Sequence, residues 1–471
     1  MKKTHIIVLG GLVFSTLFYE QRLGLNVLLY TTFITVALAV MNNTLFRKTP
    51  VLLSMAAMLA TATAVTAHGT AAAVTVCLLC TVTFIGFVAH ASSSIYVSWF
   101  NGLYTIIMGT FHDFLYQTTP PQQAAPKIIN RVQLTKLIGI PLCFVALFTA
   151  LYKQANPVFS MWIDRIDLSF LNALWILTAL LGSFIMSNII KPGALQPLST
   201  IDDTAPNELN PVNPTAVELG RLNNEKQVGM FSLVALNIVL AIVLVSEFLF
   251  LYSTQDARAS ALSQAVHHGV YASIISIIMA IAIIAYYYRG ALNFISNNKA
   301  LRVLTYIWIV LNAVLIGSIY AKNYVYINMH GLTYKRLGVL VYLLLCIAGL
   351  VTTYLKVAFK LNLTYLLRRN MVISHVVLTV FALINWPAVI TSYNIAHGFN
   401  DKQLFQSLLP QNAIVLDNNG LLEATEATEH YDPAIEPTAV FKNRNWQEFN
   451  LIAYHLKQQT HGTRENPKHL Q

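Results

Sequence analysis

The chain has 471 residues, 56% of them hydrophobic and only 11% charged, with a formal net charge of +10. Soluble domains carry about 25% charged residues, so this composition excludes an ordinary soluble protein. The basic excess does not argue for nucleic acid, because Lys and Arg gather in short loops between apolar runs, as the positive-inside bias requires. About 20 helical residues cross a bilayer core, and runs of that length recur along the chain. Stretches such as SIISIIMAIAIIAYYY show no period-two alternation, which excludes a membrane β-barrel. The expected fold is an all-α integral membrane protein with about 11 transmembrane helices (about 10–12) and a small polar C-terminal tail.

In chain order, MKKTHIIVLGGLVFSTLFYEQ has a charged start and an apolar core. It lacks a small-x-small cleavage site before Glu20, which predicts an uncleaved first span, with Ile6 to Tyr19 short for one. Leu23 to Val40 follows and ends near Arg47 and Lys48. Val51 to Ala67 and Gly69 to Ala89 are alanine-rich, turn at His68, and have side chains small enough for close helix approach. Ser92 to Gln117 is apolar yet carries Trp99, Asn101, His112 and Asp113. If it crossed, the loop holding Lys127, Arg131 and Lys136 would lie outside, so it is expected to be interfacial or re-entrant. Leu137 to Tyr152 and Leu168 to Ile190 complete an N-terminal bundle, residues 1–192. Residues 193–228 hold four prolines and mixed charge, which predicts a solvated linker. A C-terminal bundle, residues 229–392, holds spans at Gly229 to Tyr252, Gly269 to Tyr288, Val303 to Tyr320, Leu337 to Leu355 and Met371 to Ile390.

Residues 393–471 are too polar to span. Within them NWQEFNLIAYHLK is expected to form an amphipathic helix, with Asn445 and Glu448 at capping-box spacing. Trp446, Phe449, Ala453 and Leu456 then share a face that packs on the bundle. More than half of the 30 lysines and arginines fall in loops on the side of the N-terminus. That asymmetry predicts a cytoplasmic N-terminus and an extracytoplasmic tail.

Candidate functional residues cluster toward the outer side. Glu247 is a carboxylate set within apolar sequence, and His267 and His268 open the next span. Adjacent histidines point about 100° apart on a helix, so they do not comfortably share one metal. A single His–Glu pair can bind a metal or sense pH; the alternative is an interfacial pair, with Glu247 engaging a histidine or Arg258. Lys322, Lys335 and Arg336, with His330 among them, form a basic cluster on the side that the positive-inside bias disfavours. Such a cluster implies an acidic partner: Glu247 or Asp256 inside the bundle, a lipid phosphate, or the acidic tail. Gly331 suits a tight turn and Thr333 a helix cap.

Other polar residues read as structural. Arg289 follows three tyrosines as an interfacial anchor, with Asn293 capping the turn. Asn237, Asn312 and His375 are expected to join helices, at about 0.6 kcal/mol each. Asn385-Trp386-Pro387 predicts a kink. Cys77-Leu-Leu-Cys80 has CxxC spacing without a second pair, and with Cys143 and Cys346 it reads as packing thiols. No catalytic constellation, metal site or cofactor is expected.

The pieces HGVYASIISI, YYRGALNF, NKALRVLTYIWIVLN, YINMHGLTYKRLGV and INWPAVITSYN together resemble an uncharacterised family of bacterial multi-pass membrane proteins, a domain of unknown function of the four-one-seven-three type. The resemblance implies a bacterial inner (cytoplasmic) membrane. It marks His268, Gly269, Arg289, Asn293, Gly331, Thr333 and Asn385 as motif positions without assigning a role. The first functional expectation is a non-enzymatic scaffold, sensor or partner subunit of an envelope system. The second is a transporter or lipid-handling protein that uses the outward basic loop as an anion site. A membrane enzyme built on His267, His268 and Glu247 ranks third. The expected partners are the lipid bilayer and either an envelope protein or an anionic lipid at the basic loop, with no nucleic acid.

Overall fold

The computed structural model describes residues 3–112, 141, 144–145, 148–149, 151–156, 159, 172–422 and 445–457, apart from 212–213, 254–258 and 296–297; of 43 and 250–271 only backbone is described. The span expected at Leu137 to Tyr152, the basic loop Lys127 to Lys136, the residues Asp256 and Arg258, and most of the tail's acids lie largely or wholly outside that set.

Every named element among the described residues is helical. The α-helices are α1 (Lys3–Phe18), α2 (Leu25–Met41), α3 (Thr49–Ala67), α4 (Ala71–Ala89), α5 (Ile95–Met108), α6 (Ala173–Ile190) and α7 (Gln196–Thr204). They continue with α8 (Ala216–Ser253), α9 (Ala259–Tyr287), α10 (Lys299–His330), α11 (Tyr334–Ala358) and α12 (Leu363–Ala382). Three short helices close the series: α13 (Trp386–Ala396), α14 (Lys402–Ser407) and α15 (Ala413–Asn418). Six helices (α3, α4, α6, α8, α10 and α11) are long and apolar enough to cross a membrane, and α12 with α13 makes a seventh if that bent pair is one span. The bend between them is 65° and falls at the Asn-Trp-Pro sequence, where proline ends one helical ladder and starts the next. Helices α1, α2 and Ala272–Tyr287 of α9 are apolar but shorter. This is an all-α membrane protein; the described residues yield fewer full-length spans than the eleven expected.

Sequence chemistry sets the helix ends. Thr70 accepts the Ala73 N–H, Asn172 accepts the N–H groups of Leu174 and Trp175, and Asn385 accepts that of Ala388. Each side chain replaces one of the helical donors that otherwise has no partner. The α3–α4 hairpin packs through alanines, with Ala62, Ala64 and Ala73 buried beside Cys77. Two larger cores follow. One joins α1 to α6 around Tyr30, Met58, Phe84 and Met186; the other joins α8 to α11 around Ile277, Tyr288, Trp308 and Leu350. Ala382 of α12 is buried in the first core.

Helix α5 has 14 residues, about 21 Å of axis, too short to cross. Its two flanks are held by α7 and α6: the Ser94 N–H donates to Asp202 of α7 at 2.6 Å, and the Thr110 N–H donates to Asn188 of α6 at 2.8 Å. It lies along α4 because Gly86 presents no side chain: a Cβ there would collide with the Ser98 carbonyl. In the C-terminal half, Lys356 is wholly buried rather than placed in a loop, and its Nζ donates to the Tyr288 carbonyl at 2.5 Å. A cation at the C-terminus of α9 matches the negative end of the helix dipole.

At the opposite end, residues 445–457 strap the turn between α1 and α2. The Arg22 N–H donates to Glu448 at 2.8 Å, and the Leu25 N–H to the Phe449 carbonyl at 3.0 Å. The expected single helix breaks at Phe449 and Asn450 and resumes over 451–457. Ile452, Ala453 and Leu456 are buried while Trp446 is exposed, because Asn450 itself starts the second segment by accepting the Ile452 N–H.

Candidate functional site

The basic cluster at the turn between α10 and α11 is largely engaged within the protein. Lys322 of α10 forms an ion pair with Glu247 of α8, and the two side chains are only 13% and 18% exposed. Arg336, in the first turn of α11, folds back over the end of α10 and donates to the carbonyls of His330 and Gly331. Its guanidinium lies 4.2 Å from the centre of the Tyr326 ring, and His330 packs on the same ring at 4.6 Å. Thus Arg336 caps the carbonyl end of α10, where positive charge is favoured. Lys335 is exposed.

The turn between α10 and α11 is held from the other side by Asn394 of α13. Its amide accepts the Leu332 N–H at 2.6 Å and donates to the Leu332 carbonyl at 2.9 Å. Gly331 adopts φ +78°, and a Cβ there would lie 2.5 Å from the Asn394 oxygen. Thr333 caps α11 by accepting the Arg336 N–H. The motif residues of this loop therefore meet in one hydrogen-bonded corner.

The other sequence candidates are dispersed. His267, His268 and Gly269 lie in α9, where their side chains fall outside the described residues. Arg289 pairs with Glu225 at 3.1 Å and covers the Tyr286 ring. Asn293 is buried and donates to the carbonyls of Tyr288 and Gly290, closing the end of α9. Asn385 links α13 to the Gln411 carbonyl at 2.9 Å. Of the expected helix-joining amides, Asn237 donates across to Leu304 of α10 at 3.1 Å, whereas Asn312 donates to Trp308 in its own helix. Cys77 and Cys80 are free, buried thiols. No group of three or more His, Cys, Asp or Glu side chains is placed to hold a metal ion among the described residues.

Among the described residues, a cleft of a size to hold a ligand lies elsewhere. A cleft of about 690 Å³ separates α3 and α4 from α12 at the end where α3 begins and α4 finishes. Ligand pockets commonly enclose about 300–1,000 Å³. Along α12 the lining runs from Arg368 to Val380, about 18 Å of helix axis. Its walls are Leu53, Ala57 and Phe87 on one side and Val372, Val376 and Val380 on the other. Leu53, Val376 and Val380 remain more than half exposed, so the cleft opens on the flank of the bundle.

Charge is confined to the mouth. Asp202 of α7 accepts the Ser94 N–H at 2.6 Å, the Tyr96 hydroxyl at 3.1 Å and the Arg368 guanidinium at 3.1 Å. Burial acts to raise the Asp202 pKa, but the bonds from Ser94, Arg368 and Tyr96 outweigh it and hold the carboxyl below its ordinary value. Arg368 also donates to the Ala205 carbonyl and to Asn207, tying the connection after α7 to α12. Beside this pair, Asp203 accepts the Ser92 hydroxyl at 3.0 Å and faces His90 Nε2 at 2.7 Å. The Ser92 hydroxyl also lies 2.9 Å from that same nitrogen. A hydrolytic triad needs acid and hydroxyl on opposite ring nitrogens, so this trio is not one.

Deeper in the cleft, His375 of α12 is buried, with Nε2 3.9 Å from the Cys80 sulfur and Nδ1 without a hydrogen-bond partner. Sequence reading treated Asp202 and Asp203 as linker residues and Arg368 as one more basic loop residue. The available signal was IDDT, two consecutive acids on the side where basic residues collect.

A family model described as Domain of unknown function (DUF4153) matches residues 22–419. The chain belongs to this family. Its number differs in one digit from the family read in the motifs, and both are families of unknown activity. The DUF4153 match includes the cleft and the Lys322 to Arg336 turn but ends before the docked residues 445–457. Neither a search of curated proteins nor one of solved structures finds a match.

Proposed function

We propose that this DUF4153 protein is a lipid-handling membrane protein whose cleft between α3 and α12 holds a membrane amphiphile. One observation carries the reading: a cleft of about 690 Å³ has apolar walls along its length and its ionised groups at one end only. That distribution complements a molecule with a polar head and an apolar body. The openness of the walls toward the flank, marked by Leu53, Val376 and Val380, gives such a molecule a route from the bilayer.

The basic turn lends less support to an external partner than its sequence suggested. Lys322 is matched by Glu247, and the Arg336 guanidinium is engaged by helix-end carbonyls and Tyr326. Our reading therefore moves the ligand from the outer turn to the cleft. The excess of Lys and Arg in loops at the cleft's end argues that the mouth and the N-terminus face the cytoplasm of a bacterial cell, with residues 445–457 outside.

The test is purification from native membranes in mild detergent, followed by mass spectrometry of bound lipids and proteins. Wild type is expected to retain lipid through gel filtration, and Ala57→Phe, which fills the wall, to lose it. Equal lipid in both would refute the reading. A stoichiometric protein partner with no retained lipid would restore the scaffold or subunit expectation.

A further inference from the structure

We infer that the cleft selects an ammonium-headed lipid, such as phosphatidylethanolamine, over an anionic one; this rests on the reading of the cleft as an amphiphile site. The argument turns on which mouth charges are already used. Arg368 is the cation lining the cleft, and its nitrogens are directed at the carboxylate and carbonyl of Asp202, the Ala205 carbonyl and Asn207. The phosphate of any phospholipid would have to compete with all of these, so Arg368 gives an anionic head no advantage and the discrimination falls to the other mouth groups. Asp202 is equally committed, to Ser94, Tyr96 and Arg368.

Asp203 differs. Its side chain is 36% exposed, and its hydrogen-bond partners here are a hydroxyl and an imidazole, neither of which carries a fixed positive charge. The Asp202–Arg368 pair is neutral as a unit, so among the described residues lining the cleft Asp203 is the carboxylate that no arginine or lysine engages. A primary ammonium has three donors and can approach from the cleft to donate to both the Asp203 carboxylate and the Ser92 oxygen, which are hydrogen-bonded to each other at 3.0 Å. A headgroup of net negative charge would instead meet Asp203 in a partly desolvated mouth, where like charges repel most strongly.

A second observation inside the cleft points to a ligand independently. His375, which lines the cleft, is 7% exposed and has a buried Nδ1 with no hydrogen-bond partner among the described residues. An unmet polar group beside an apolar slot is what a ligand with polar linkage atoms below its head would satisfy. A purely apolar occupant offers nothing there.

The experiment uses the full chain in nanodiscs containing equal amounts of phosphatidylethanolamine and phosphatidylglycerol, with bound lipid counted by native mass spectrometry. Wild type, Asp203→Asn, Asp203→Lys and Ala57→Phe are compared at matched thermal stability. The expected result is a threefold to fivefold preference for phosphatidylethanolamine in wild type, about what a partly exposed ion pair supports. Asp203→Asn should abolish the preference and Asp203→Lys reverse it. If lipid is bound by wild type and lost in Ala57→Phe, but without a preference or with phosphatidylglycerol enriched, the headgroup inference fails while the cleft stands. If Ala57→Phe binds as much lipid as wild type, the cleft reading fails and takes the inference with it. Displacement of bound lipid by free ethanolamine would reassign the mouth to soluble amines and overturn the lipid assignment.

Discussion

The Asp202–Arg368 pair joins the connection between the two helical cores to α12, and a double-mutant cycle measures how firmly. The Asp202 side chain is 3% exposed and that of Arg368 24%. Removing one member of a fully buried pair costs about 3–5 kcal/mol, because the other charge is left without a partner. Arg368 keeps its bonds to Ala205 and Asn207 and part of its hydration, which places Asp202→Ala at about 3 kcal/mol, the lower end of that range. That loss includes the Ser94 N–H and the Tyr96 hydroxyl, which then lack their acceptor. Arg368→Ala leaves Asp202 still accepting those two donors and should cost about 2–3 kcal/mol, one or two charged hydrogen bonds. The double variant should lose about 4 kcal/mol rather than the additive value, a coupling of about 1–2 kcal/mol. Unfolding by SDS titration in mixed micelles, followed by tryptophan fluorescence, reads all four corners of the cycle. Coupling below about 0.5 kcal/mol, the range in which independent sites add, would mean that the two charges do not interact in the folded protein.

Four further outcomes are expected. Glu247→Met and Lys322→Met should each lower the yield of folded protein, by about 3 kcal/mol in the same titration, while the double Met variant recovers most of it, since paired removal leaves no buried charge. Arg336→Ala should cost about 1–2 kcal/mol through loss of the cap on α10 and the Tyr326 stack, and Arg336→Lys should recover little, because an ammonium cannot form the planar fork. Gly331→Ala should cost at least about 1–2 kcal/mol, since φ is +78° and the added methyl meets Asn394; an unchanged midpoint would refute the turn geometry. Acidification should destabilise the fold in two steps. Burial depresses the His68 pKa, with the Leu383 backbone opposing, so the folded state binds fewer protons than the unfolded one. Its contribution is full above about pH 6.5 and is lost as pH falls through the depressed folded-state value; Asp202, also depressed, adds its loss below about pH 4. His68→Gln should remove the first step alone.

Much of the fold was legible because lipid-phase physics leaves few choices. Long apolar runs without period-two alternation become helices, and Thr70, Thr333, Asn385 and Pro387 mark where they start or bend. Ser92 to Gln117 was read as interfacial or re-entrant because Asn101 and its polar neighbours need partners, and up to His112 the structure supplies partners for Asn101 from Ser93, Ser199 and Leu195. The turn at Gly331 was legible for the same local reason. Lys356 was not: a lysine at a span's end reads as a loop residue, and only the approach of α9 supplies the Tyr288 carbonyl that buries it. The break at Phe449 escaped the reading because capping-box spacing also fits a short 3-10 turn (Trp446–Glu448), and docking on Gly24 and Leu25 decides between them.

The cleft mouth was hidden for a more general reason. Its carboxylates stand in a segment that composition marks as solvated, 166 residues away in sequence from the arginine that engages one of them. Sequence pattern ranks residues by the helix that carries them, so a polar group in a span attracts notice and one in a linker does not. Here the ranking inverts. Glu247, within a span, is matched by Lys322, while Asp203, in the short helix α7, keeps an exposed carboxylate at the head of an apolar slot. In this bundle the partly exposed carboxylate stands where a linker folds back against a helix end, while the carboxylate inside a span is paired with a lysine. That contrast is why our proposal places the ligand in the cleft rather than at the turn between α10 and α11, where Lys322 and Arg336 are engaged within the protein.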